Sequence, residues 1–330
     1  MVEKNDSISK QWFDEIIASF DESFVKKLNA IITQPSSRDK VSFTIKEHLA
    51  TTRNQKTLDT IPDFLEFLHL IAKSNPHNEE LFFTFLDSIS IAVKKFHVHQ
   101  NIAYLNELID YSLILLEEYQ NKEDFLLGIN DICIEILDIL QYYDLITIFE
   151  KYLKRLLKNA VTKKNFLFQT LAMDGLISAI QTFGNSWNYS KTKRYSKLLY
   201  QFYETHKNNP LIYGLYLKGL SEEIHYYTEM NEFNTMIESL NGLKTLYETI
   251  ADRNLQLSED YAKGLRYAII GFGDNEKTSD MLALLDELKQ LEKKYTNSTV
   301  IKFITVQAFQ DVLNSLTLME KPDIAKQLMN

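Results

Sequence analysis

"YLKGL" (216–220) and "YAKGL" (261–265) stand 45 residues apart, each inside a stretch with helical periodicity. Glycine inside a helix costs roughly 1 kcal/mol against alanine. Its return in the same phrase calls for a packing reason. Gly128, Gly175, Gly219 and Gly264 share one phase, separated by 47, 44 and 45 residues, and Ala308 follows 44 further on. A large apolar residue comes directly after each: Ile129, Leu176, Leu220, Leu265 and Phe309. A fixed period of this length marks stacked helical hairpins. The glycines are expected to let neighbouring backbones approach closely. "FFTFLDSISIAV" (82–93) aligns on "FLLGINDICIEI" (125–136), but Phe85 stands where glycine is due.

Punctuation agrees with that reading. The chain has 9 glycines and 5 prolines, against about 23 and 16 at average usage for this length. An all-β chain needs turn residues more often. Proline is rejected by helix interiors and accepted in the first turn, so Pro35, Pro62, Pro76, Pro210 and Pro322 mark helix borders. "FLEFLHLIA" (64–72), "YLNELIDYSLILLEEY" (104–119) and "MLALLDELKQLEKKY" (281–295) carry apolar residues at helical spacing.

The expected fold is all-α: a right-handed α-solenoid of about seven antiparallel helix hairpins, repeating every 44 residues or so. Each hairpin has a helix A and a following helix B. The spans read as 40–75, 78–120, 122–160, 164–207, 209–251, 255–296 and 298–329. Residues 1–39 form a separate segment: an amphipathic helix over about 9–32, with Trp12, Ile16, Phe20, Phe24, Leu28 and Ile31 on one face, then the loop "TQPSSRD". Residues 40–330 form the repeat domain. The last helix is expected to be a short cap, or to present Leu328 and Met329 to another chain.

Two-helix units with a small residue in helix A resemble the tetratricopeptide and related α-solenoid families. "AKGLRYAIIGFG" (262–273) carries the likeness, with Ala262, Leu265, Ile269, Phe272 and Gly273 in the family's large or small apolar slots. Arg266 stands where the family has its helix glycine, and the unit is about ten residues longer than the usual 34. A HEAT-like repeat has a similar period. The resemblance implies partner binding along a concave face lined by A helices.

The chain shows little catalytic chemistry. It lacks GxxxxGK[ST], GxSxG and HExxH. "GFGDNE" (271–276) reads as the turn between helices A and B. "HVH" (97–99) reads as two loop histidines, His225 as a helix-end histidine favoured by the dipole, and Cys133 as a buried thiol. The pairs Glu117–Glu118 and Glu222–Glu223 read as solvated faces. No catalytic residue, cofactor or metal is expected. A single cysteine excludes an internal disulfide and fits a reducing compartment. The first residues have no apolar core, so no secretory leader is expected, and no apolar run reaches a membrane span. A cytoplasmic location follows as an expectation.

The formal charge is −9, which disfavours nonspecific nucleic-acid binding. Two basic stretches break this balance: Lys151, Lys154, Arg155 and Lys158, then Lys191, Lys193, Arg194 and Lys197. On neighbouring B helices they would form one patch. The 18 tyrosines are amphipathic and suit interfaces. Tyr213, Tyr216, Tyr226, Tyr227 and Tyr267 are the candidate groove contacts. The function expected is a non-catalytic scaffold for a protein or peptide. The alternatives are a ligand- or peptide-responsive regulatory repeat protein, and a nucleic-acid binder using the basic patch 151–197.

Overall fold

The computed structural model describes residues 61–74, 79–98, 102–141, 145–163, 165–209, 211–250 and 254–329. The expected N-terminal helix and loop, the first part of the first hairpin, His99, Pro35, Pro76 and Pro210 lie outside the described residues. Every regular element among the described residues is helical. The helices are α1 (Ile61–Ser74), α2 (Glu79–Val98), α3 (Ile102–Glu118), α4 (Glu123–Leu140), α5 (Ile146–Lys163), α6 (Phe166–Asn185), α7 (Tyr189–His206), α8 (Leu211–Glu229), α9 (Phe233–Thr249), α10 (Leu255–Asp274), α11 (Thr278–Lys294), α12 (Thr299–Leu318) and α13 (Pro322–Met329). They fall into two compact units, divided between Leu140 and Gln141. Pro62 and Pro322 occupy first-turn positions, where a missing N–H costs nothing.

In the C-terminal unit the ends of the A helices recur in one phase. Asn165, Asn209, Asn254 and Ser298 each accept a backbone N–H just inside α6, α8, α10 and α12. Their spacing is 44, 45 and 44 residues. Each satisfies an orphan donor of a helix N-terminus. At the other end, Trp187, Asn231, Glu276 and Glu320 have φ of 55–58°, again 44, 45 and 44 residues apart. The next residue donates its N–H back across the turn: Asn188 to the Phe183 carbonyl, Glu232 to Tyr227, Lys277 to Phe272 and Lys321 to Leu316, at 2.8–2.9 Å. These are Schellman closures, which usually place glycine in the left-handed position. A non-glycine residue there stores about 1 kcal/mol of strain. Glu276→Gly is therefore expected to stabilise the protein by about 0.5–1 kcal/mol, read as a higher urea midpoint; an unchanged or lower midpoint would refute the strain.

Successive A helices pack on one another, α6 on α8, α8 on α10 and α10 on α12, while consecutive B helices make no comparably close backbone approach. The in-phase glycines lie in this layer, but their partners correct the expectation. What fills the space at Gly219 and Gly264 is a leucine from the preceding B helix, not a neighbouring backbone. A β-carbon at Gly219 would come within 2.5 Å of Leu199 Cδ2 and 3.3 Å of Ile177 Cγ1. At Gly264 it would run into Leu243 Cδ2. Gly175 is buried, and Ala308 is fully buried. The last helix, α13, packs on α12 but buries none of its residues, and Met329 is 62% exposed.

In the N-terminal unit α2 packs on α1, α3 and α4. Gly128 of α4 makes room for Leu86 of α2. The core here is aromatic: Phe82 stacks on Phe125 at 4.0 Å and lies 4.6 Å from Tyr119. Phe85, the break in the glycine phase, is fully buried and stacks on His69 at 4.9 Å.

Candidate functional surfaces

The exposed stripe of the A helices is polar and aromatic, and it is linked from helix to helix. His225 of α8 stacks on Tyr267 of α10 at 4.0 Å, with ring planes 17° apart. Its Nε2 lies 3.1 Å from Glu229 Oε1. Thr228 donates to the Tyr267 carbonyl. One helix further, Arg266 of α10 donates from Nε to Asp311 and from Nη1 to Gln307 on α12, both at 2.9 Å. Arg266 is the residue that departs from the tetratricopeptide pattern, and here it ties two A helices together. His225 is a member of this cross-helix set, and a helix dipole alone does not describe it.

Burial divides the five candidate tyrosines. Tyr216, Tyr226 and Tyr227 are core residues, at 8%, 5% and 1% exposure. The Tyr227 hydroxyl donates to Ser196 Oγ at 2.9 Å, and that of Tyr226 to Asn185. Only Tyr213 and Tyr267 keep a half-exposed ring. The helical period places all five on A helices, but the wide buried arc of α8 takes three of them inward.

The basic stretches are less open than their sequence suggests. Lys151, Lys154 and Lys158 are exposed on α5, and Arg155 is half-buried. On α7, Lys191 donates to Glu150 Oε2 at 3.1 Å and sits over the Phe183 ring. Tyr195 donates to the other oxygen of the same carboxylate. Arg194 lies over the Tyr195 ring, and Lys193 donates to the Tyr189 hydroxyl. An acid therefore sits between the two basic runs and neutralises part of the patch.

Glu223 corrects a second expectation. Its carboxylate is not solvated: it is 6% exposed and accepts from Ser239 Oγ of α9 at 2.7 Å. Desolvation pushes its pKa up to about 7, against the pull of hydrogen bonds from Ser239 and Ser196.

The N-terminal unit holds a cleft of about 460 Å3 between α1 and α3. Pro62, Leu65 and Leu108 form its apolar wall, and Glu66, Glu107 and Lys73 supply its charges. At its floor, the Tyr111 hydroxyl and His69 Nδ1 share a hydrogen bond at 2.6 Å, and His69 Nε2 lies 3.2 Å from the Tyr119 hydroxyl. Burial holds the imidazole below its usual pKa. Either neutral tautomer satisfies both bonds, because each phenol hydroxyl can donate or accept. Glu118 closes an ion pair with Lys73 and approaches His69 at 3.7 Å. Burial, and then the charges of Glu66 and Glu118, raise the Tyr111 phenol. His69 sits within "FLHLIA", a polar residue at a position the helical period assigns to the core, and that was the one signal in the sequence.

Cys133 is buried, and His97 lies in the last turn of α2. Among the described residues no group of three or more His, Cys, Asp or Glu side chains could hold a metal ion. No helix among them is long and apolar enough to cross a membrane. No family model and no curated protein matches the chain.

Proposed function

We propose that this chain is a non-catalytic scaffold of the α-solenoid type, right-handed and similar to tetratricopeptide arrays, which binds a protein or peptide along the face of its A helices. The observation that carries the reading is the phase of the A-helix ends. Caps and closures spaced 44, 45 and 44 residues apart set successive A helices in line, so equivalent positions form a continuous stripe. Such stripes are the extended binding surfaces of stacked repeats. Lys218, Glu222, His225, Arg266 and Tyr267 keep solvent-facing surface on it. Direct A-on-A packing, with the B helices further apart, supports the A layer as the inner side. A cytoplasmic address, where the single Cys133 stays reduced, belongs to the same proposal.

The test is capture of a partner from native-source lysate by three forms of the full chain. One is wild type. One carries Lys218→Glu, Arg266→Glu and Tyr267→Ala on the A face. One carries Lys151→Glu, Lys154→Glu, Arg155→Glu, Lys191→Glu and Arg194→Glu on the B face. A protein held by wild type and the B-face variant, and lost at least tenfold from the A-face variant, supports the reading. Retention by the A-face variant refutes it, and loss of nucleic acid from the B-face variant alone would assign the working surface to the basic residues.

A further inference from the structure

The cleft between α1 and α3 combines three features that ordinary surface packing does not require together. Its volume, about 460 Å3, lies within the roughly 300–1,000 Å3 of small-ligand sites. Its wall is aliphatic. Its charge is unbalanced, because Lys73 is already held by Glu118, whereas Glu66 and Glu107 face the opening with no counter-ion among the described residues. The floor adds acceptor capacity. The Tyr111 hydroxyl shares one hydrogen bond with His69 Nδ1, and in either direction the phenol oxygen keeps a lone pair for a donor from the cleft. A neutral His69 stacked on Phe85 adds no positive charge to repel such a donor.

From this arrangement we infer that the cleft is a binding site for a cationic nitrogen, an ammonium or guanidinium, carried on a short apolar stem. The stem lies against Pro62, Leu65 and Leu108. The cation takes Glu66 and Glu107 as counter-ions and the Tyr111 oxygen as acceptor. The same chemistry is presented by a free alkylamine and by a lysine or arginine side chain of a partner. An anion meets two carboxylates of its own sign, and a neutral alcohol of the same length brings no charge to offset theirs.

The experiment is calorimetric titration of the full chain with n-pentylamine, n-pentanol, a lysine-containing tetrapeptide and its Nε-acetylated form. The amine or the lysine peptide is expected to saturate the protein. Pentanol and the acetylated peptide should bind at least tenfold more weakly. Glu66→Gln with Glu107→Gln should weaken the cationic ligand by about tenfold or more, on the scale of two partly exposed ion pairs. Both positions are exposed, so folding is not at issue. Asp280→Asn with Glu320→Gln removes the same charge from the C-terminal unit and should change nothing. Tighter binding of the peptide than of pentylamine identifies a protein side chain as the source; the reverse identifies a free amine. Failure of both cations to saturate, equal binding of pentanol, or equal weakening by the two double variants overturns the inference. None of these results bears on the A-helix face, whose variants lie in the other unit.

Discussion

Replacing Glu223 by glutamine is expected to raise the urea midpoint at neutral pH and to flatten its dependence on pH. The carboxyl titrates at about 7 in the folded chain, against an ordinary value of 4.5. A raised acid holds its full contribution to stability below about pH 4.5 and loses it as pH rises through about 7. The displacement corresponds to roughly 3 kcal/mol. Glutamine keeps an acceptor for Ser239 and does not titrate. Wild type and variant should thus be close in stability in acid and diverge by up to roughly 3 kcal/mol above neutrality. Ser239→Ala should act the other way, because it removes the 2.7 Å donor and pushes the acid higher still. Parallel stability curves for wild type and Glu223→Gln from acid to neutral pH would show that Glu223 ionises normally.

Gly184→Ala should lose about 2 kcal/mol of stability. A β-carbon there would fall against Cγ, Cδ1 and Cδ2 of Tyr226. These atoms lie at the base of the ring and cannot swing away as a leucine tip can. Tyr226 is 5% exposed and its hydroxyl is tied to Asn185. Alanine brings about 1 kcal/mol of helix propensity, while overpacking at an unyielding contact costs up to about 3 kcal/mol. Tyr226→Ala alone should cost about 3–5 kcal/mol. Combined with Gly184→Ala it should cost at least 1 kcal/mol less than the sum, because the new methyl then occupies vacated space. A neutral Gly184→Ala, or strict additivity, would exclude the close ring contact.

Local rules located the helix pairs of the C-terminal unit, but the expected pair 122–160 is divided, with α4 in the N-terminal unit and α5 in the C-terminal unit. The expected span 209–251 contains α8 and α9, and 255–296 contains α10 and α11, because glycine phase, proline position and apolar period all concern near neighbours. The sequence repeats "NEK" (275–277) as "MEK" (319–321), 44 residues on, and their middle residues, Glu276 and Glu320, are the left-handed closures. What could not be read depended on distant partners. Gly264 looked like a place for backbone approach until Leu243 proved to occupy it. Glu222 and Glu223 are adjacent and alike, yet α9 covers one and not the other. His69 was hidden in an apolar run, and only folding brings Tyr111 and Tyr119 to its two nitrogens. Tyrosines on A helices were legible as a class, but which rings turn inward depends on how widely α8 is covered.

The ties within the two helix layers of the C-terminal unit differ in how closely the helices pack. Between A helices close packing is joined by the Arg266–Asp311 pair, whereas between B helices the ties include Glu150 with Lys191 and Tyr195, and Lys244 with Glu287 at 2.6 Å. Apolar burial changes little with ionic strength, and partly exposed ion pairs weaken with it. The stack therefore combines close A-helix packing with ionic latches in both of its helix layers. Salt weakens these latches, Arg266–Asp311 among them, and leaves the close packing of the A helices in place.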